Sequence, residues 1–96
     1  MKENHPITVD VDEHGQHVCR PTRTRAKPGD TVQWLQDSKA SVSFPGNTPF
    51  VQGEGPFPPG SFSTVKGVPP LNFGAEFVPV VNGNKIKGAI IIDKGD

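Results

Sequence analysis

Tyrosine is absent from this chain, and cysteine, methionine and tryptophan occur once each. A single cysteine excludes an intramolecular disulfide, so stability has to rest on packing. Neither charge sign is in excess: ten Lys and Arg balance ten Asp and Glu. That balance removes the usual electrostatic case for nucleic acid as a partner. No apolar run approaches the roughly 20 residues of a membrane span. The opening Met1-Lys2-Glu3-Asn4-His5-Pro6 is not a secretory signal, so the chain as written reads as cytoplasmic, or as periplasmic or secreted if a leader was removed. There is no Gly-rich phosphate loop and no His-x-x-x-His pair. All three histidines fall in the first 17 residues, in a terminal hairpin, and no strand-to-helix nucleophile elbow is visible. These absences argue against an enzyme. The missing tyrosines, with Trp34 in an inward slot, disfavour a carbohydrate-binding platform.

Glycine and proline are abundant, 11 of each in 96 residues. They punctuate short β-rich runs and form no low-complexity tract. One domain, residues 1–96, is expected, and a chain of this length buries roughly 60–65% of its unfolded surface around one thin core. Ile7, Val9 and Val11 alternate with Thr8, Asp10 and Asp12, a strand with its apolar residues facing inward. The stretch from Glu13 to Gln16 suits a hairpin turn, with Gly15 supplying a positive φ. Lys27-Pro28-Gly29-Asp30 has the composition of a type II turn. Thr31–Trp34 and Ser41–Phe44 carry strand signals, split by a polar turn at Gln36–Lys39. Residues 45–60 hold nine Gly or Pro in sixteen, which excludes a central strand and predicts a long loop anchored by Phe50 and Phe57. Ser61–Lys66, Phe73–Val78 and Gly88–Asp93 read as further strands, with a turn at Val68-Pro69-Pro70-Leu71. Seven to eight short strands at this spacing predict an all-β sandwich.

The run from Cys19 to Trp34, ending Pro28-Gly29-Asp30-Thr31-Val32-Gln33-Trp34, resembles the second and third strands of cupredoxins, the plastocyanin-like family. Ala40–Phe44 looks like the following strand, and Ala75–Pro79 with Ile86–Ile90 like the closing pair. The resemblance implies a Greek-key β-sandwich, and the family's activity is one-electron transfer through copper held by two His, a Cys thiolate and a weak axial Met. Carried over by position, the first His falls at Ala40, the Cys at Pro79, the second His at Asn82 and the Met at or near Ile86. The expectation is therefore a cupredoxin-like domain without those ligands, with no cofactor, acting as a protein-interaction or assembly module.

Three residue groups compete as sites. In cupredoxins the apolar patch around the Pro79–Lys85 loop docks partners, which makes Phe50, Phe57, Val80, Val81 and Asn82 candidates for binding another protein. The competing reading makes both phenylalanines core plugs and covers Val80 with the long loop. His14, His17 and Cys19 form the one soft-ligand cluster, a displaced metal or redox site unless Cys19 is simply a small core hydrophobe. Arg23, Arg25 and Lys27 form a basic stripe, either an anion site or a solvated row facing Asp10 and Asp12.

Overall fold

The computed structural model describes residues 2–67 and 73–94. Among them are eight strands and no helix: β1 (Asn4–Val11), β2 (His17–Ala26), β3 (Thr31–Trp34), β4 (Phe62–Thr64), β5 (Glu76–Phe77), β6 (Val80–Val81), β7 (Asn84–Lys85) and β8 (Lys87–Ile92). The turn expected at Val68–Leu71 lies outside the described residues. Six strands hydrogen-bond in the order β4-β3-β1-β2-β8-β5, and β6 pairs with β7.

The pivot is β1. Its first half, Asn4–Ile7, runs parallel to β3, and its second half, Thr8–Val11, runs antiparallel to His17–Arg20 of β2. One strand thus serves both halves of the ribbon, which fold over a shared core as an all-β sandwich. The alternation read in β1 holds for Ile7 and Val9, but Val11 is 39% exposed. It ends the strand, where the ladder runs out into the Asp12–Gln16 turn. That turn is clamped by Asp12, whose Oδ1 accepts the His14 and Gln16 N–H groups, with Gly15 at φ 77°.

Proline was excluded above from central strands, yet β2 is central and contains Pro21. The reason is local. β2 pairs with β1 only as far as Arg20 and resumes with β8 at Arg23, so Pro21 sits where the strand changes partner and owes no ladder bond. The apolar run of β8 is buried on both faces. Ile90 and Ile92 enter the main cluster, while Ile91, 2% exposed, faces away from it. Arg23 reaches Glu76 of β5 across β8, so this ion pair lies over that outer face.

Ser41–Phe44 is extended but joins its neighbours by isolated bridges, Val42 with Phe57 and Ser43 with Val80. The 45–60 loop turns inward. Phe50 and Phe57 are 0% and 5% exposed and meet Trp34 and Phe44 at ring separations of 5.3–6.3 Å.

Candidate functional site

The end of the sandwich to which the resemblance directs attention is a tight hairpin. Val80 pairs with Lys85 and Val81 with Asn84, and the Ile86 N–H donates to the Pro79 carbonyl at 3.0 Å. Asn82 and Gly83 make the connection with φ of 51° and 82°, the two positive values of a type I′ turn. Ser43 and Val80 exchange both backbone bonds, 2.9 and 2.8 Å, stitching the hairpin to the strand-like segment after Ala40. Ala40 and Ile86 are partly buried against the core, Pro79 is buried, and Asn82 is exposed. The side chains at these four positions are a methyl, a pyrrolidine ring, an amide and a butyl group.

A cleft of about 560 Å³ separates the hairpin from the β1–β2 turn, with Gln16 and His17 on one wall and Asn82, Asn84, Lys85 and Lys87 on the other. Asp12 also borders it. The backbone N–H of Gln16 is the main reason its carboxyl stays below the ordinary value of 3.8.

Three of the five candidate docking residues are corrected by this geometry. Phe50, Phe57 and Val81 belong to the core cluster, because the loop folds inward and Val81 points into the sandwich from β6. They offer no side chain to a partner. Val80 is half-buried, and only Asn82 stands clear. The exposed face of this end is polar, carried by Asn82, Asn84 and Lys85. The basic stripe is paired, but not with the acids expected. Arg23 meets Glu76 and Arg25 meets Asp93, while Asp10 pairs with Arg20.

His14, His17 and Cys19 do not form a cluster. His14 is largely exposed beside Glu13, and Cys19 is 1% exposed in the core. Burial pushes the Cys19 thiol up to about 11, which suppresses the thiolate that metal binding or redox exchange requires. Its packing explains Gly88: a methyl there would sit 2.6 Å from Cys19 Sγ and 3.6 Å from Pro79 Cγ. Cys19 should therefore resist an aromatic disulfide reagent at pH 8 and titrate fully once denatured. Rapid stoichiometric reaction of the folded protein would show an accessible thiol.

The described residues do contain one group whose metal-ligating atoms lie within 4.8 Å of one another: Glu3, His5 and Asp30. Its geometry is that of a clamp. Asp30, 2% exposed, accepts the Glu3 N–H at Oδ1 and both the Lys27 N–H and His5 Nε2 at Oδ2, each at 2.9 Å. These bonds account for the burial of the carboxylate without an ion. Sequence reading missed this clamp, although a signal was present: His5 lies on the inward row of Ile7 and Val9, where a polar residue needs a buried partner.

No family model matches the chain, and no curated protein matches it. Among solved structures it is similar to a pseudoazurin from Sinorhizobium meliltoi, with a TM-score of 0.60 and 20% identity over 98% of this chain and 75% of that one. Identity this low speaks for the backbone alone. The chain has a cupredoxin-like fold.

Proposed function

We propose that this domain is a copper-independent binding module that recognises another protein with the hairpin end of the sandwich. The observation that carries the reading is the donor set where the fold family places its metal. Ala40, Pro79 and Ile86 offer no ligand atom, Asn82 offers a neutral amide, and Cys19, the sole thiol, is protonated in the core. Type 1 copper chemistry depends on a thiolate and imidazoles held together, so the residues present do not fit copper. What the end does present is a rigid hairpin bearing Asn82, Asn84 and Lys85 beside a polar cleft.

Copper loading tests the reading. Protein incubated with Cu(II) should show no intense visible thiolate-to-copper band. A partner captured by the untagged protein should be retained when chelator is present. Substituting Asn84→Asp and Lys85→Glu should release that partner while leaving the melting temperature within a few degrees, because both residues are exposed. A strong blue colour lost in Cys19→Ser would overturn the assignment.

A further inference from the structure

The clamp of Glu3, His5 and Asp30 holds together without an ion, but its construction suits one. The β1–β3 register sets Asn4 opposite Thr31 and His5 opposite Val32, and continued by one step it sets Glu3 opposite Asp30. The Thr31 N–H closes that step by donating to the Glu3 carbonyl at 2.9 Å. Side chains alternate along a strand, and the inward rows carry Ile7 and Val9 in β1 and Val32 and Trp34 in β3. Glu3 and His5 continue the first row, and Asp30 continues the second. Register and atomic positions therefore agree: the three side chains converge on the inner side where β1 begins, with ligand atoms within 4.8 Å of one another. The far end of β1 leads into the cleft bordered by Asp12, so this cluster and the hairpin site lie at opposite ends of that strand.

The donor set selects the ion. Two carboxylates cancel the charge of a divalent cation, and the imidazole adds a nitrogen. Mg²⁺ and Ca²⁺ prefer about six or more oxygens, and Cu(I) prefers sulfur, whereas the sole thiol, Cys19, sits opposite Val9 further along the strand. Zinc accepts one imidazole and two carboxylates, with water in a fourth position. Asp30 is already oriented for it. The Glu3 N–H on Oδ1 and the Lys27 N–H on Oδ2 fix the carboxylate, and an ion need break neither bond. Only the contact between His5 Nε2 and Asp30 Oδ2 has to change. At 2.9 Å it is close to the ligand–ligand edge of a zinc tetrahedron, about 3.3 Å for bonds of about 2.0–2.1 Å.

We infer that Glu3, His5 and Asp30 form a zinc site that staples the start of β1 to the β2–β3 turn. The ion takes the place of the proton between His5 and Asp30: Nε2 and Oδ2 each donate a lone pair to it, and the Nε2 proton passes to Nδ1 or to water. Glu3, exposed, swings in as the third ligand. Lys2 lies across Gly29, where a Cβ would come 2.9 Å from Lys2 Cε. Its ammonium shares this end of the sandwich, and with three protein ligands instead of four it keeps the affinity modest. The site is independent of the hairpin end, so a partner held there in chelator is compatible with it.

The test is titration of the full chain with zinc chloride in a non-chelating buffer at pH 7, followed by calorimetry and backbone amide shifts. One ion per chain is expected, with shifts centred on Glu3, His5 and Lys27–Thr31. Because the ion binds only the folded clamp, a zinc concentration a hundredfold above Kd should raise the melting temperature by about 10 °C or more. Glu3→Gln should weaken binding at least tenfold and leave the melting temperature of the zinc-free protein unchanged, since Glu3 is exposed. His5→Ala should abolish binding, while His14→Ala with His17→Ala should retain it. Loss of binding in the His14 and His17 variant, retention of wild-type affinity in Glu3→Gln or His5→Ala, or an unchanged melting temperature at saturation would each overturn the inference. An equal rise with magnesium would overturn it as well, because the imidazole would then contribute nothing.

Discussion

Replacing Trp34 by alanine is expected to leave the protein barely folded. Trp34 is 1% exposed, its ring centroid lies 6.2–6.3 Å from those of Phe44, Phe50 and Phe57, and its Nε1 donates to Ser63 Oγ at 2.8 Å. Truncating a buried aromatic costs about 3–5 kcal/mol, and the Ser63 hydroxyl, fully buried, loses its partner as well. A domain of this length has about 5–14 kcal/mol in total, so the melting temperature should fall by about 15–30 °C. The loss should also be local in a specific way. Phe50 and Phe57 hold the 45–60 loop to the sandwich by resting on this ring, so the loop should become the first site of limited proteolysis. Trp34→Phe, which keeps most of the volume and orphans only Ser63, should cost about 1–2 kcal/mol and keep the loop protected. Thermal melts and a proteolysis time course of the two variants check both statements. Equal destabilisation of the two would assign the effect to the hydrogen bond instead of the ring.

This dependence of a loop on a strand residue also marks where the sequence was and was not readable. Period-2 alternation placed Thr31–Trp34 as β3 to the residue, and the apolar run near the end placed β8 to within one residue, at Lys87–Ile92. Turn chemistry was equally direct: Gly15 and Gly29 take the positive φ expected, 77° and 88°. Composition identified residues 45–60 as a loop but could not say which way it faced. That depends on Phe50 and Phe57 finding Trp34 and Phe44 in three dimensions, a contact with no local signature. The same limit applies to Val81. Two adjacent valines on a predicted loop look alike in sequence, and only the I′ hairpin assigns one inward and one to the flank. Arg23 and Arg25 were recognisable as a stripe, whereas their partners Glu76 and Asp93 became visible only once β8 lay beside β2. At the candidate site the residue types at positions 40, 79, 82 and 86 were plain in the sequence. The closure of that end by backbone bonds was not.

The clamp at Asp30 should make stability depend on pH in a defined direction. Asp30→Ala removes the acceptor of the Lys27 N–H, the Glu3 N–H and the His5 ring in one step. It should cost on the order of 3 kcal/mol, since three part-buried hydrogen bonds to one ionised carboxylate are lost together and water restores them only in part. In the wild type, burial works against ionisation of this carboxyl, but the hydrogen bonds from His5, Lys27 N–H and Glu3 N–H outweigh it and hold the pKa below 3.8. A folded-state value lower than the unfolded one means the unfolded chain binds the proton more readily. The stabilisation is then complete above the unfolded value of about 3.9 and is lost as pH falls through the lower, folded value. The gap in stability between wild type and Asp30→Asn should therefore stay constant from pH 7 to pH 5 and narrow as the pH is taken below 4. Asn supplies one acceptor oxygen of similar shape without the charge, so its gap isolates the ionised form. The clamp also joins the first strand to the β2–β3 turn, through Glu3 and His5 on one side and Lys27 on the other. Loosening it should raise amide exchange at Thr31, whose N–H donates to the Glu3 carbonyl at 2.9 Å, ahead of exchange in β8. Urea melts at five pH values with exchange rates at pH 7 check the prediction. A gap that grows on acidification would mean the carboxyl is protonated in the folded protein and that the sign of its contribution is reversed.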